Sequence, residues 1–139
     1  MTVARDLMTP DPQCVKEDQT LVEAARLLRD LDVGAMPICG NDDRLKGMLT
    51  DRDIVVKVLA QGKDPDSTNA GEFAQGKPVT IGADDSIEDA IATMKEHKVR
   101  RLPVIDGHDL VGIVSQGDLA RNAGEEEVGE LLETISATA

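Results

Sequence analysis

The chain contains one structural unit twice, and this internal repeat restricts its possible folds more than any other feature of the sequence. Proline, aspartate and apolar residues recur at an offset of 66 residues, as Pro12 and Pro78 do, and the offset becomes 65 after a one-residue deletion in a loop. Each copy ends with the pattern Gly-apolar-apolar-Thr/Ser-x-x-Asp-apolar, at residues 47–54 and again at 112–119. Such a repeat predicts a pseudo-symmetric body with two equivalent sites, rather than one asymmetric catalytic cleft.

Local patterns predict the same order of elements in both copies. A capping box opens the first helix of each copy, at Thr20 and at Ser86, and apolar residues follow at helical spacing. Two short β-prone runs separated by a polar turn come next and predict a hairpin. A second helix begins after Thr50 and after Ser115. The sequence therefore predicts an α/β fold made of two β-α-β-β-α repeats packed with pseudo-two-fold symmetry.

The repeats divide the chain into four segments. Residues 1–62 form the first repeat, 63–68 form a linker rich in turn-forming residues, and 69–122 form the second repeat. Residues 123–139 are predicted to form an acidic C-terminal helix and tail, which we expect to cover the protein's own core, with a dimer contact as the alternative. Its apolar residues fall on one helical face: Val128, Leu131, Leu132 and Ile135.

Composition and charge exclude several classes of function. A net charge of −12 opposes binding to a phosphate backbone, and a chain with one Phe and no Trp or Tyr offers no stacking platform for nucleic acid. Neither a membrane-spanning run nor a signal peptide is evident in the sequence. Two cysteines are too few for a secreted disulfide scaffold. We therefore expect a cytoplasmic protein that binds neither nucleic acid nor membrane.

Residues 3–122 resemble a tandem pair of CBS domains, also called a Bateman module. The resemblance depends on the order of the elements, the Leu/Met-Pro-Val/Ile strand, and the Thr/Ser-x-x-Asp motif at the start of the last helix. Four segments are similar to stand-alone actinobacterial CBS-pair proteins of the hypoxic response protein type: 3–8, 37–40, 47–54 and 99–104. The resemblance implies a non-catalytic regulatory module that binds an adenosine-containing ligand (AMP, ATP, NAD or similar) in clefts between the repeats. It also implies a homodimer that signals to an effector protein.

The resemblance further implies which residues bind the ligand. Asp53 and Asp118 would accept hydrogen bonds from the ribose hydroxyls, a geometry that suits a carboxylate and a vicinal diol. Thr50 and Ser115 would face the phosphate at a helix start, where free N–H groups attract anions. Three arginines would add positive charge: Arg52, Arg100 and Arg101. None of these arginines recurs in the other copy, so the two sites are expected to differ in affinity for phosphorylated ligands.

The Thr/Ser-x-x-Asp motif also has an explanation that needs no ligand. Thr50-x-x-Asp53 and Ser115-x-x-Asp118 are capping boxes, and helix capping is what this spacing usually does. A dimerisation or interaction module without a ligand is therefore the alternative function.

The cysteines and histidines support no catalytic or metal site by pattern alone. Cys14 and Cys39 are either two small buried thiols or, as the resemblance implies, a disulfide pair. His97 and His108 lack the neighbouring ligands that a zinc site requires, and nothing places a histidine and an acid beside either cysteine. We therefore expect no metal, no catalytic residue and no cofactor beyond a regulatory nucleotide, with a metal- or thiol-dependent protein as a minor alternative.

Overall fold

A computed structural model describes residues 2–74, 78–122, 129 and 132–134. The chain divides into two compact units. The first-repeat unit is Gln13–Pro78, and the second-repeat unit combines Met1–Pro12 with Val79–Ala139. Within the described ranges, no helix has the length and apolar character needed to cross a membrane.

The elements follow the predicted order, with two short additions at the start of the first repeat and one at the start of the second. In chain order they are α1 (Ala4–Leu7), β1 (Thr9–Pro10), β2 (Val15–Lys16), α2 (Leu21–Leu31), β3 (Ala35–Cys39), β4 (Leu45–Thr50), α3 (Asp51–Asp53) continued by a π-helical segment (Ile54–Leu59), a 3₁₀ turn (Ala70–Phe73), β5 (Ile81–Gly82), α4 (Ile87–His97), β6 (Arg101–Asp106), β7 (Asp109–Ser115) and α5 (Gln116–Ala120).

The first-repeat unit is a three-stranded sheet covered by helices. β2 runs parallel to β3, and β3 pairs with β4 as an antiparallel hairpin. Helix α2 begins where the Glu23 N–H donates to Thr20 Oγ1 at 3.2 Å, and it ends at Asp32, whose backbone is left-handed. The apolar faces of the sheet and the helices enclose one core: Val15, Leu21, Ala24, Leu28, Met36, Ile38, Leu49, Ile54, Val58 and Ala70.

The second-repeat unit repeats this arrangement and adds an edge strand. β5 runs parallel to β6, β6 and β7 form the hairpin, and β1 pairs antiparallel with the free edge of β7. Helix α4 begins where the Asp89 N–H donates to Ser86 Oγ at 3.1 Å. The core of the second-repeat unit is also aliphatic: Ala4, Ile81, Ala83, Ile87, Ala90, Ile91, Met94, Leu102, Val104, Val114 and Leu119.

The opening segment of each repeat belongs to the unit built by the other repeat. In α1, the Ala4 N–H donates to the Asp85 carbonyl at 2.8 Å, which ties the N-terminal segment to the second-repeat unit. At the corresponding place the Ala70 N–H donates to the Gln19 carbonyl at 2.9 Å, which ties the 3₁₀ turn to the first-repeat unit. The two repeats therefore exchange equivalent segments.

The mixed α/β fold with two repeats is confirmed by the two sheets and their helices. The segment boundaries inferred from the sequence remain a prediction. Val128, Leu131 and Ile135 of the predicted C-terminal helix lie outside the described residues, whereas Leu132 is helical and exposed.

Candidate functional site

The motif of the first repeat forms a reciprocal capping box. The Asp53 N–H donates to Thr50 Oγ1 at 3.1 Å, and the Thr50 N–H donates to Asp53 Oδ2 at 3.0 Å. Asp53 Oδ1 lies 3.1 Å from Lys57 Nζ, four residues further along the helix. An ionised carboxylate offers about four lone-pair sites, so Asp53 retains capacity for further donors. The motif therefore forms the capping box that its spacing predicts, and the Asp53 carboxylate keeps lone pairs that a ligand could use.

The motif of the second repeat forms the same box with a different basic partner. The Asp118 N–H donates to Ser115 Oγ at 3.2 Å, and the Ser115 N–H donates to Asp118 Oδ2 at 2.8 Å. Arg121 Nη2 donates to Asp118 Oδ1 at 2.6 Å. The carboxylate is thus held by a guanidinium three residues away, where the first repeat uses an ammonium four residues away.

The three predicted arginines are all exposed. Two of them lie beside the second motif, and the third lies within the first motif. In β6, Arg101 is paired with Ser115, and the Arg100 carbonyl accepts the Gln116 N–H at 2.9 Å, so both arginines lie beside the second motif. Arg52 lies inside the first motif, where its N–H donates to Asp51 Oδ1 at 2.8 Å. Its guanidinium forms no ion pair with another described residue.

A cavity of about 600 Å³ lies beside Asp53 in the first-repeat unit. This volume is in the range of pockets that bind small molecules. Of the predicted site residues, Asp53 lines the cavity, whereas Thr50 and Arg52 do not. The lining combines two lysines, two carboxylates, an amide and two apolar side chains: Met48, Asp53, Lys57, Gln61, Lys63, Glu72 and Phe73.

One wall of the cavity is formed by the helix that follows β4. Asp53 and Lys57 lie on this helix, and Gln61, four residues after Lys57, lies in the turn that follows it. The segment between them is π-helical, with the Ala60 N–H donating to the Val55 carbonyl at 2.9 Å. These three polar side chains therefore face the cavity together.

The 3₁₀ turn also lines the cavity, through Glu72 and Phe73, and the glycine of the motif, Gly47, permits the turn to approach β4 closely. A Cβ atom at Gly47 would lie 3.0 Å from the Ala74 Cα and 3.4 Å from the Phe73 carbonyl oxygen. Real Cβ contacts are rarely so short, so a side chain at this position would push β4 and the turn apart by a few tenths of an ångström. The glycine that precedes Thr50 thus brings Phe73 to the same cavity as Asp53.

Sequence reasoning missed most of the residues that line this cavity. Lys57 was detectable, because a basic residue four positions after an aspartate on a helix forms an ion pair with it. Lys63 and Phe73 lie in the linker and at the start of the second repeat, and no local pattern connects either residue with Asp53.

The two cysteines meet, whereas neither histidine belongs to a group of three or more possible metal ligands among the described residues. The structure brings the sulfur atoms of Cys14 and Cys39 to disulfide distance, with Cα atoms 5.7 Å apart. His97 and His108 are exposed. Nowhere in the described part of the chain do three or more His, Cys, Asp or Glu side chains form a group able to hold a metal ion.

Comparison with known proteins identifies the class. The sequence model of the CBS-domain family matches this chain twice, at residues 4–60 and at residues 70–125. The chain belongs to the CBS-domain family, and its two matches make it a CBS-pair regulatory module. It is 50% identical to hypoxic response protein 1 of Mycobacterium tuberculosis over 135 residues, which cover 97% of this chain and 94% of that protein. The predicted resemblance is therefore confirmed.

Two solved structures illustrate what related modules bind. The crystal structure of hypoxic response protein I with two coordinated zinc ions matches with a TM-score of 0.81 and 51% identity, covering 88% of this chain and 100% of that chain. The crystal structure of CBSX2 in complex with AMP matches with a TM-score of 0.74 and 26% identity, covering 87% of this chain and 95% of that chain.

Proposed function

We propose that this module binds an adenosine-containing ligand, such as AMP, ATP or NAD, and transmits its presence to an effector protein without catalysis. The observation that carries the proposal is that Asp53, the aspartate of the first motif, lines a cavity of about 600 Å³. The complex of CBSX2 with AMP supports the class of ligand.

The chemistry of the two motifs suits such a ligand. Asp53 is oriented by the Thr50 N–H and by Lys57 before any ligand arrives, so little reorganisation is needed when ribose hydroxyls donate to it. We assign the same role to Asp118, which Ser115 orients. For the phosphate we retain the predicted contact from Thr50 at the first motif and those from Ser115, Arg100 and Arg101 at the second, whereas Arg52 does not line the cavity.

We also propose that Cys14 and Cys39 form a disulfide in the folded protein and that the module is a homodimer. The Cα separation of 5.7 Å supports the bridge, because it lies within the range that disulfides require. Homodimerisation, the effector and the cytoplasmic location remain predictions from the sequence.

We propose no zinc site, although hypoxic response protein I was crystallised with two coordinated zinc ions. A zinc site requires three or four ligands in one place, and the described residues of this chain contain no such group. A ligand-free interaction module remains the alternative.

A thermal-shift and calorimetric screen of AMP, ADP, ATP, NAD and S-adenosylmethionine tests the proposal. A ligand at 100 times its dissociation constant should stabilise the folded protein by about 2.7 kcal/mol. Asp53→Ala should abolish or strongly reduce the shift. Ser86→Ala is the matched control, because it removes a helix cap outside the first-repeat unit and should leave the shift intact. If none of these compounds shifts the midpoint, the ligand-free alternative replaces the proposal.

A further inference from the structure

We infer that Lys63, and not the predicted Arg52, binds the phosphate of the ligand in the first-repeat cavity, and that Phe73 packs against its base. The inference rests on the proposed function and names the class of ligand as a nucleoside monophosphate. It follows from which side chains line the cavity and from the partners they already have.

Lys63 is the basic residue of the cavity whose charge remains available. Its side chain lines the cavity and is exposed, and it forms no ion pair with another residue that the structure describes. Lys57 also lines the cavity, but its ammonium group is already 3.1 Å from Asp53. In a chain with a net charge of −12, a phosphate needs a local cation, and a charge-assisted hydrogen bond from a lysine supplies one.

The backbone fixes where Lys63 emerges. Gly62 has a φ of 75°, in the left-handed region that favours glycine, and this turn ends the helix. The Lys63 N–H then donates to the Val58 carbonyl at 3.0 Å. The lysine is thereby anchored to the end of the helix that carries Asp53.

Arg52 lies on a different side of the same helix. Successive residues of a helix point about 100° apart, so the residue before Asp53 does not share its face. In agreement with this geometry, Arg52 does not line the cavity.

Phe73 supplies the apolar surface that a base requires. It is the single aromatic residue of a chain without Trp or Tyr, and it lines the cavity while packing against the core of the first-repeat unit. An aromatic ring in such a position gains free energy by stacking on any base. Phe73, Asp53 and Lys63 line the same cavity and together supply groups for base, ribose and one phosphate.

The uniqueness of Phe73 also provides the assay. Because Phe73 carries the only phenyl ring of the chain, its proton signals report occupancy of this cavity in the full-length protein. Titrations followed through these signals compare AMP, adenosine and inorganic phosphate. AMP and adenosine should shift the ring signals upfield by stacking, whereas inorganic phosphate should not.

Lys63→Met is the decisive variant, and Arg52→Met is its matched control on an equally exposed basic residue. Lys63→Met should weaken AMP binding about tenfold to hundredfold, the loss expected for one charge-assisted hydrogen bond, and should leave adenosine binding unchanged. Arg52→Met should change neither affinity. Both variants should keep the urea midpoint of the parent, because both side chains are exposed.

Three outcomes overturn the inference. If Arg52→Met weakens AMP and Lys63→Met does not, Arg52 is the phosphate residue and the proposed function stands without the inference. If Lys63→Met weakens AMP and adenosine equally, the lysine has a structural role only. If the unmodified protein binds neither compound, the proposed function itself fails, and that result is seen before any variant is compared.

Discussion

Removing the proposed Cys14–Cys39 bridge should destabilise the first-repeat unit. The bridge joins the residue before β2 to the last residue of β3, with a sequence separation of 25. A cross-link around a loop of this length lowers the entropy of the unfolded chain, which corresponds to about 3.5 kcal/mol at 25 °C in the chain-entropy model. Reduction with dithiothreitol, or Cys14→Ser with Cys39→Ser, should lower the free energy of unfolding by about this amount.

The effect should be local, because the cross-linked loop lies entirely within the first-repeat unit. Glu17, the residue after β2, connects the bridge to the 3₁₀ turn, because its N–H donates to the Cys39 carbonyl at 3.0 Å and its carbonyl accepts the Gly71 N–H at 2.9 Å. Loosening β2 should therefore also loosen the 3₁₀ turn that contributes Phe73.

Urea unfolding and native-state hydrogen exchange, each with and without reductant, measure both effects. The Gly71 amide should exchange faster after reduction, while the Val104 amide in the second-repeat unit should keep its rate. An identical urea midpoint in the two conditions would refute the reasoning. Titration of two free thiols in the unreduced folded protein would show that no bridge exists.

Three further predictions concern packing and charge. Leu49→Ala should lower the free energy of unfolding by about 2–5 kcal/mol in urea titrations, since Leu49 is fully buried, and a loss below 1 kcal/mol would contradict its core position. Gly47→Ala should cost about 1–3 kcal/mol and weaken AMP binding, because the new methyl group collides with Ala74; unchanged AMP affinity in calorimetry would exclude this coupling. The Arg44 N–H lowers the pKa of Asp42 below its usual value, so the stability that Asp42 contributes is present at neutral pH and is lost as the pH falls through its folded-state pKa. An NMR titration of the Asp42 carboxyl carbon with an ordinary midpoint would contradict this.

The parts of the fold that depend on neighbouring residues were predictable from the sequence. Helix N-caps use atoms three residues apart, so the helix starts after Thr20, Thr50, Ser86 and Ser115 could be predicted from spacing alone, although the full reciprocal box forms only at Thr50 and Ser115. The two hairpins are also local, since a polar turn joins strands of matching apolar pattern. Because the same caps and hairpins occur in both copies, each local pattern supported the same α/β fold class twice.

Long-range features could not be predicted in this way. The exchange of opening segments places Ala70 against Gln19, and no local pattern distinguishes this pairing from one within a single repeat. The same exchange brings Phe73 to the cavity beside Asp53. The sequence therefore indicated a basic residue within the motif, Arg52, as the partner of the phosphate. The cavity is lined by Lys63 and not by Arg52.

The two aspartates show that capping and ligand binding are compatible and that the two copies differ. Each carboxylate caps its helix through one oxygen and meets a basic side chain through the other, so capping orients it without using every lone pair. Arg121 holds the Asp118 side chain at 2.6 Å with 10% exposure, whereas Lys57 holds the Asp53 side chain at 3.1 Å with 19% exposure. A ligand hydroxyl competes more easily with an ammonium group at 3.1 Å than with a guanidinium N–H at 2.6 Å. The first repeat should therefore bind a nucleotide more tightly than the second, and the residues that create this difference are the basic partners of the aspartates.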